Sequence, residues 1–147
     1  MKIGLDTTFL VEVSVREHPG HLDAMEEMHN HLSVGDTFFL APQVIAEFVH
    51  VITDSRRFEH PLLMPEALEK ARTWWHARET RHALITSASI EQFYVWMHEF
   101  NLGRKRVLDT MLAATYITHQ VSTILSSNAR DYKVFGCFTV ITPGQPF

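Results

Sequence analysis

The sequence contains a single cysteine, Cys137, which excludes an intrachain disulfide and is typical of a protein in a reducing cytosol. No apolar run approaches the roughly 20 residues that a membrane-spanning helix needs. The first residues, "MKIGLDTTFL", reach Asp6 too soon to form the apolar segment of a secretory signal. Basic residues are not in excess, because the formal net charge is −4, so any nucleic-acid contact has to be local. We therefore expect a cytoplasmic protein that does not bind membranes.

The order of apolar segments predicts one α/β domain over residues 1–147. Strands are predicted at 2–6, 37–41, 83–87, 122–127 and 138–142. Helices are predicted at 21–32, 43–54, 65–79, 88–100 and about 105–119, with Ser89 as a candidate cap. Because strands and helices alternate, we expect a three-layer α/β/α sandwich with a central, mostly parallel sheet.

Acidic and amide side chains follow two of the predicted strands. Asp6 ends the first strand and precedes the hydroxyls of Thr7 and Thr8. Asn128 and Asp131 come directly after the fourth strand. In open parallel sheets, ligands bind beyond the carboxyl ends of the strands. We therefore expect these oxygen atoms to lie at one edge of the sheet.

Glu47 interrupts an apolar run, "VIAEFVHVI", on a predicted helix. Gln43, Glu47, His50 and Asp54 recur at steps of four, three and four, so they form one polar stripe. Such a stripe is most often the solvated face of an amphipathic helix. A stripe flanked so closely by apolar residues can also line a cleft.

Asp109 repeats this pattern in "RVLDTMLAAT" (106–115), where its helical neighbours are apolar. One explanation is that Asp109 interacts favourably with the helix dipole, which contributes about 0.3–1 kcal/mol. The other explanation covers the acids together, because clustered carboxylates repel unless a cation neutralises them. Mg²⁺ or Mn²⁺ binds oxygen ligands of this kind. The second explanation predicts a metal ion held by Asp6, Glu47 and Asp109.

Taken in order, these motifs resemble the PIN-domain family, specifically the VapC-type toxin ribonucleases of type II toxin–antitoxin systems. The resemblance rests on Asp6-Thr7-Thr8, on Glu47 in a helix after the second strand, on "DTMLAAT" from Asp109, and on the turn "SSNARDY" from Ser126. Ser126 and Tyr132 replace the commoner Thr and Phe. The first acidic slot of this turn holds Asn128, so Asp131 is the better candidate for the fourth acid.

The resemblance implies a PIN-like fold and metal-dependent cleavage of RNA phosphodiester bonds. It assigns catalysis and Mg²⁺ or Mn²⁺ binding to Asp6, Glu47, Asp109 and Asp131. One ion would activate water, and a second ion, helped by Asp131, would stabilise the leaving oxygen. The implied supporting residues are Thr7, Ser126 and Asn128. The implied partners are an RNA substrate, a cognate VapB-type antitoxin and a second copy of the chain.

The basic run before Asp109 supplies Arg104, Lys105 and Arg106 as possible RNA contacts. A basic run of this kind is as often a solvated surface.

Other functions fit the sequence less well. A haloacid dehalogenase-type phosphatase also starts with a strand-end Asp, but it needs a second Asp where this chain has Thr8. The "HNH" histidines at 29–31 lack the i, i+4 spacing of a helical zinc site. A catalytically impaired PIN-like binding or regulatory module is the alternative that stays open, because Asn128 replaces an acid.

Overall fold

Short strands alternate with helices in the structure, a computed structural model that describes residues 1–146. The strands are β1 (Lys2–Leu5), β2 (Thr37–Leu40), β3 (Thr80–His82), β4 (Thr123–Leu125) and β5 (Thr139–Ile141). The helices are α1 (Thr7–Ser14), α2 (His21–Ser33), α3 (Pro42–Ile52), α4 (Met64–His76), α5 (Ser87–Glu99), α6 (Val107–Thr118) and α7 (Arg130–Lys133). A 3₁₀ turn at Arg104–Arg106 leads directly into α6. None of the helices within residues 1–146 is long and apolar enough to cross a membrane.

The sheet has the strand order β3-β2-β1-β4-β5, and every neighbouring pair is parallel. β1 is central, with Ile3 paired to Phe38 on one side and to Thr123 on the other. The chain winds outward through β2 and β3, then returns to β4 and β5 on the opposite side of β1. The direction of winding thus reverses between β1 and β4, which is where open α/β sheets place their ligand sites.

Helices cover the sheet in two packed groups, which confirms the three-layer α/β/α prediction. Helix α1 packs against α2 and α3, and α3 packs against α4. The second group is built on the contact between α5 and α6. The core between these layers contains large, fully buried side chains, among them Phe9, Phe48 and Tyr116.

The third strand lies earlier than predicted. Residues 83–87 do not form a strand, because the pairing with β2 uses Thr80, Arg81 and His82 instead. The apolar pair that suggested a strand, Leu84 and Ile85, is 51% and 44% exposed. Ala83 is still buried and its N–H donates to the Leu40 carbonyl, but Leu84 and Ile85 belong to a surface connection and not to the sheet core.

Two helix starts also differ from the predictions. Helix α1 was not predicted, yet Asp6 caps it by accepting a hydrogen bond from the Thr7 N–H. The cap of α5 is Thr86 rather than Ser89. Ser89 lies at the third helical position, where its N–H donates to the Thr86 hydroxyl and its own hydroxyl accepts from the Thr86 N–H. The pair forms a capping box, so Ser89 contributes to the cap from inside the helix.

The buried hydroxyl of Tyr116 ties α6 to the central strand, since it donates to the Leu5 carbonyl over 2.5 Å. Replacing Tyr116 with Phe leaves that oxygen without this donor, and we expect a loss of about 1–2 kcal/mol in the free energy of unfolding. Urea denaturation with an unchanged m-value would measure it. The control is Tyr94→Phe, because Tyr94 is 59% exposed. Equal effects of the two substitutions would contradict the prediction.

Candidate functional site

A cleft of about 810 Å³ opens at the carboxyl ends of β1 and β4. The predicted acids all line it: Asp6, Glu47, Asp109 and Asp131. These residues come from the end of β1 and from α3, α6 and α7, so four separate parts of the chain meet at the place where the winding of the sheet reverses. The shared location predicted from the sequence is therefore present in the structure.

Asp6 is the most tightly held of these acids. Its Oδ1 accepts from the Thr7 N–H at 2.9 Å, and its Oδ2 accepts from the Ser126 hydroxyl at 2.5 Å. Burial raises the pKa of Asp6 to about 6, and the nearby negative charges of Glu47 and Asp131 act in the same direction. The two hydrogen bonds lower the pKa but do not offset burial. Asp6 is therefore a fixed carboxylate that has no cationic partner among residues 1–146.

Asp109 and Asp131 share a basic neighbour, Arg106. The Nη1 atom of Arg106 lies 3.6 Å from Asp109 Oδ2 and 3.4 Å from Asp131 Oδ1. Its Nη2 atom donates to the Asp131 carbonyl at 2.5 Å. The pKa of Asp109 is nevertheless raised, first by burial and then by the charge of Asp131, while Arg106 opposes the rise. Arg106 thus offsets the unfavourable environment of Asp109 only in part.

Glu47 is exposed on α3, and it borders the buried face that contains Val44, Phe48 and Val51. The polar stripe predicted from the sequence borders the cleft through Gln43, Glu47 and His50. Its last member, Asp54, instead pairs with arginines beyond the helix end. Glu47 is therefore both solvated and in the same cleft as the other acids. The stripe is a solvated helix face, and its first three members also line the cleft.

The turn after β4 is joined to α1 by hydrogen bonds around Ser126. The Asn128 N–H donates to the Ser126 hydroxyl at 2.9 Å, and the Thr8 and Ser126 hydroxyls lie 3.4 Å apart. The Ser127 N–H donates to the Thr8 hydroxyl at 3.0 Å. Thr8 and Asn128 line the cleft. Thr7, the predicted supporting residue, is buried, and its hydroxyl has no hydrogen-bond partner within residues 1–146.

Glu12 is a residue of this network that the sequence analysis missed. It is only 6% exposed, and its Oε1 accepts from the Ser127 hydroxyl at 2.5 Å. Its Oε2 is buried and has no hydrogen-bond partner among the residues that the structure describes. The signal was available, because Glu12 interrupts the apolar stretch "FLVEV" as Glu47 interrupts its own. Glu12 connects α1 to the turn that carries Asn128 and Asp131.

The basic run before α6 divides between two settings. Arg104 and Lys105 are exposed and line the cleft, where a phosphate backbone could reach them. The guanidinium of Arg106 is instead engaged by the two acids. A further lining residue, Arg57, is paired with Asp54.

The donor chemistry of the cleft suits a hard divalent cation, because carboxylate oxygens predominate and two of the acids have raised pKa values. The acids share one cleft without forming a ready coordination sphere. Over residues 1–146, no three His, Cys, Asp or Glu side chains lie close enough together to hold an ion as they stand. An ion would therefore have to draw the carboxylates together.

Comparison with solved structures identifies the fold, whereas comparison with sequences finds no match. No protein-family model and no curated protein sequence matches the chain. The sarcin-ricin loop cleaving toxin VapC20 of Mycobacterium tuberculosis is 16% identical with a TM-score of 0.70, over 96% of this chain and 99% of that chain. VapBC2 from Rickettsia felis, bound to a promoter DNA fragment, is 13% identical with a TM-score of 0.68, over 97% and 99%. VapBC-1 from nontypeable Haemophilus influenzae is 10% identical with a TM-score of 0.67, over 97% and 98%.

At these identities the matches establish the fold. The chain has the PIN-like α/β/α fold of the VapC-type proteins, as the sequence resemblance implied, and it spans nearly the whole of each matched chain.

Because the pKa of Asp6 rises from 3.8 to about 6 on folding, its charge opposes folding above that pH. The contribution of Asp6 is most favourable below about pH 4 and is lost as the pH rises through 6. Asn keeps one acceptor oxygen and removes the charge. At pH 7.5 without metal, we expect Asp6→Asn to be about 1–2 kcal/mol more stable than the wild type. Urea unfolding at pH 7.5 and 4.5 would measure the difference.

The matched control is Asp23→Asn, which removes an exposed carboxylate outside the cleft. It should not reproduce a gain that depends on pH. A loss of stability in Asp6→Asn that is the same at both pH values would contradict the prediction.

Proposed function

We propose that this chain, which has the fold of the VapC-type PIN domains, is a Mg²⁺- or Mn²⁺-dependent endoribonuclease that acts as a cytoplasmic toxin. The observation that carries the proposal is the meeting of Asp6, Glu47, Asp109 and Asp131 in one cleft at the reversal point of the sheet. A chain that needed only its fold would not gather carboxylates where their charges oppose one another.

In this proposal the ion is held by Asp6, Glu47 and Asp109, and Asp131 supplies a fourth carboxylate nearby. When bound, a divalent ion lowers the pKa of water and offsets charge on a phosphate. The hydrogen bonds from Ser126 and from the Thr7 N–H hold Asp6 in one orientation, which leaves its outer lone pairs for the ion.

RNA would enter along the side of the cleft that carries Arg104 and Lys105. These exposed side chains would bind the phosphates on either side of the cleaved bond. Phosphate contacts carry no sequence information, so the choice of RNA would depend on the shape of the surrounding loops.

An antitoxin partner is part of the proposal, because two of the matched structures are VapBC proteins and a third is described as a toxin–antitoxin complex. An apolar groove of about 750 Å³ in this chain would suit a partner segment, and Met25, Met28, Phe38 and Trp74 line it. We also propose a homodimer, with exposed apolar residues such as Leu84 and Val95 as candidate contacts.

The alternative function is a PIN-like module that binds a partner without cleaving RNA. It is favoured by one observation, that the acids do not form a ready coordination sphere in the described residues. Metal binding and cleavage separate the two functions, and the following two experiments measure them in turn.

Calorimetric titration with Mn²⁺ should detect binding to the wild type. Asp109→Ala should weaken it by at least about 10–100-fold, since the loss of even a second-shell partner costs that much. The control is Asp54→Ala, which removes a carboxylate that pairs with Arg56 and Arg57 and does not line the cleft. Equal binding by all three proteins would place the ion outside the cleft, and no binding by any of them would favour the module.

Cleavage of a mixed RNA pool should require Mg²⁺ or Mn²⁺ and should stop with a chelator. Asp6→Asn should lose cleavage while its far-ultraviolet circular dichroism stays unchanged, because the amide removes a charged ligand without changing the shape of the side chain. The exposed Asp23→Asn serves again as the control. Cleavage that persists with chelator or in Asp6→Asn would overturn the proposed mechanism.

A further inference from the structure

Arg106 is placed between two of the four acids, and not at the rim with its basic neighbours. Its guanidinium lies within 3.6 Å of Asp109 and within 3.4 Å of Asp131. It also donates to the backbone carbonyl of Asp131 at 2.5 Å. These contacts join the first turn of α6 to the first turn of α7.

The backbone of Arg106 is held as firmly as its side chain. The hydroxyl of Thr110, a fully buried residue, donates to the Arg106 carbonyl at 2.6 Å. Asp109 follows Arg106 by three residues, so the two side chains meet on one face of the helix. The side chain of Arg106 is 26% exposed, so its charge is screened less than that of a surface arginine. The cation is therefore built into the site and does not depend on a mobile loop.

The other two acids have no such partner. Within residues 1–146, neither Asp6 nor Glu47 forms an ion pair with a basic side chain. The site thus has one half that pairs with an arginine, Asp109 and Asp131, and one half that pairs with no basic side chain among residues 1–146, Asp6 and Glu47.

Nuclease sites with two metal ions hold them about 3.5–4 Å apart, each neutralising part of a carboxylate cluster. A second ion between Asp109 and Asp131 would have to displace the Arg106 guanidinium. It would also have to break the hydrogen bond to the Asp131 carbonyl. A planar guanidinium that contacts two carboxylates and a carbonyl is a well-suited substitute for a cation at that point.

We propose that Arg106 takes the place of a second metal ion, so that the cleft binds a single divalent ion on the side of Asp6 and Glu47. The inference rests on the proposed function as far as metal binding is concerned, but it does not depend on RNA being the substrate. Arg106 is then a positioning residue, which holds Asp109 and Asp131 together in the absence of metal and leaves Asp109 able to share the ion.

The number of bound ions tests this directly. Titration with Mn²⁺ should give one ion per wild-type chain. Arg106→Gln removes the charge and should raise the number towards two, because Asp109 and Asp131 are then uncompensated. Arg106→Lys keeps the charge and should stay at one. The matched control is Lys105→Gln, which removes an equal charge from the same cleft but from a side chain that pairs with neither acid.

Thermal unfolding gives a readout that does not depend on catalysis. Without metal, Arg106→Gln should melt at a lower temperature than the wild type, because two carboxylates then face each other unpaired. Mn²⁺ should raise its melting temperature by more than it raises that of the wild type. Circular dichroism below the transition verifies that the variant is folded.

Two ions in the wild type would overturn the inference, and so would Arg106→Gln that keeps one ion and the wild-type response to Mn²⁺. Absence of binding in every variant would overturn the metal-dependent function itself. One ion in the wild type, two in Arg106→Gln and no RNA cleavage would leave the inference standing while the proposed substrate fails.

Discussion

The hydrogen bond from the Ser126 hydroxyl to Asp6 joins the ends of β4 and β1, and the rest of the cleft is arranged around this junction. The two residues are 120 positions apart in sequence, and only the parallel pairing of their strands brings them together. Ser126 also accepts from the Asn128 N–H, which sets the course of the turn towards Asp131. Glu12 holds the same turn from the other side through Ser127. The turn that carries Asp131 is thus held by hydrogen bonds from residues other than the four acids.

The acids of the cleft lower the free energy of unfolding at neutral pH, because their negative charges are partly buried close together. Asp6 is buried with a raised pKa, and Asp109 has a raised pKa in spite of the nearby arginine. Proteins keep unfavourable charges of this kind chiefly where function needs them. The core compensates elsewhere, for example through the buried Tyr116 and its hydrogen bond to Leu5. The acids with raised pKa values lie in the cleft at the carboxyl ends of β1 and β4, which is why this cleft is the candidate functional site.

The acids of the cleft could be predicted from the sequence, because Asp6 ends a predicted strand and Glu47 and Asp109 each interrupt a local apolar pattern. The alternation of strands and helices could be predicted for the same reason, because each segment shows its own apolar periodicity. Arg106 shows the limit, since its neighbour Asp131 lies 25 residues away and nothing in "GRKR" distinguishes it from Arg104. Glu12 interrupts an apolar stretch as well, but it was missed because α1 was not predicted and its position was not assigned to a helix. The third strand was misplaced because the run "ALI", in which Leu84 and Ile85 are exposed, is more apolar than the strand "TRH".

Under the proposed function, the charges of the cleft also account for how an acidic site on an acidic protein would bind RNA. The four carboxylates exceed by one the three basic side chains beside them, Arg104, Lys105 and Arg106. Arg106 is already paired with two of these acids, and Arg57 is paired with Asp54 outside the group. The cleft alone is therefore slightly repulsive to phosphate. One divalent ion is enough to reverse that sign, and the attraction it creates is confined to within about one Debye length, roughly 8 Å at physiological ionic strength. Metal and RNA would then bind with positive coupling, so that the protein stays indifferent to nucleic acid until its ion is in place.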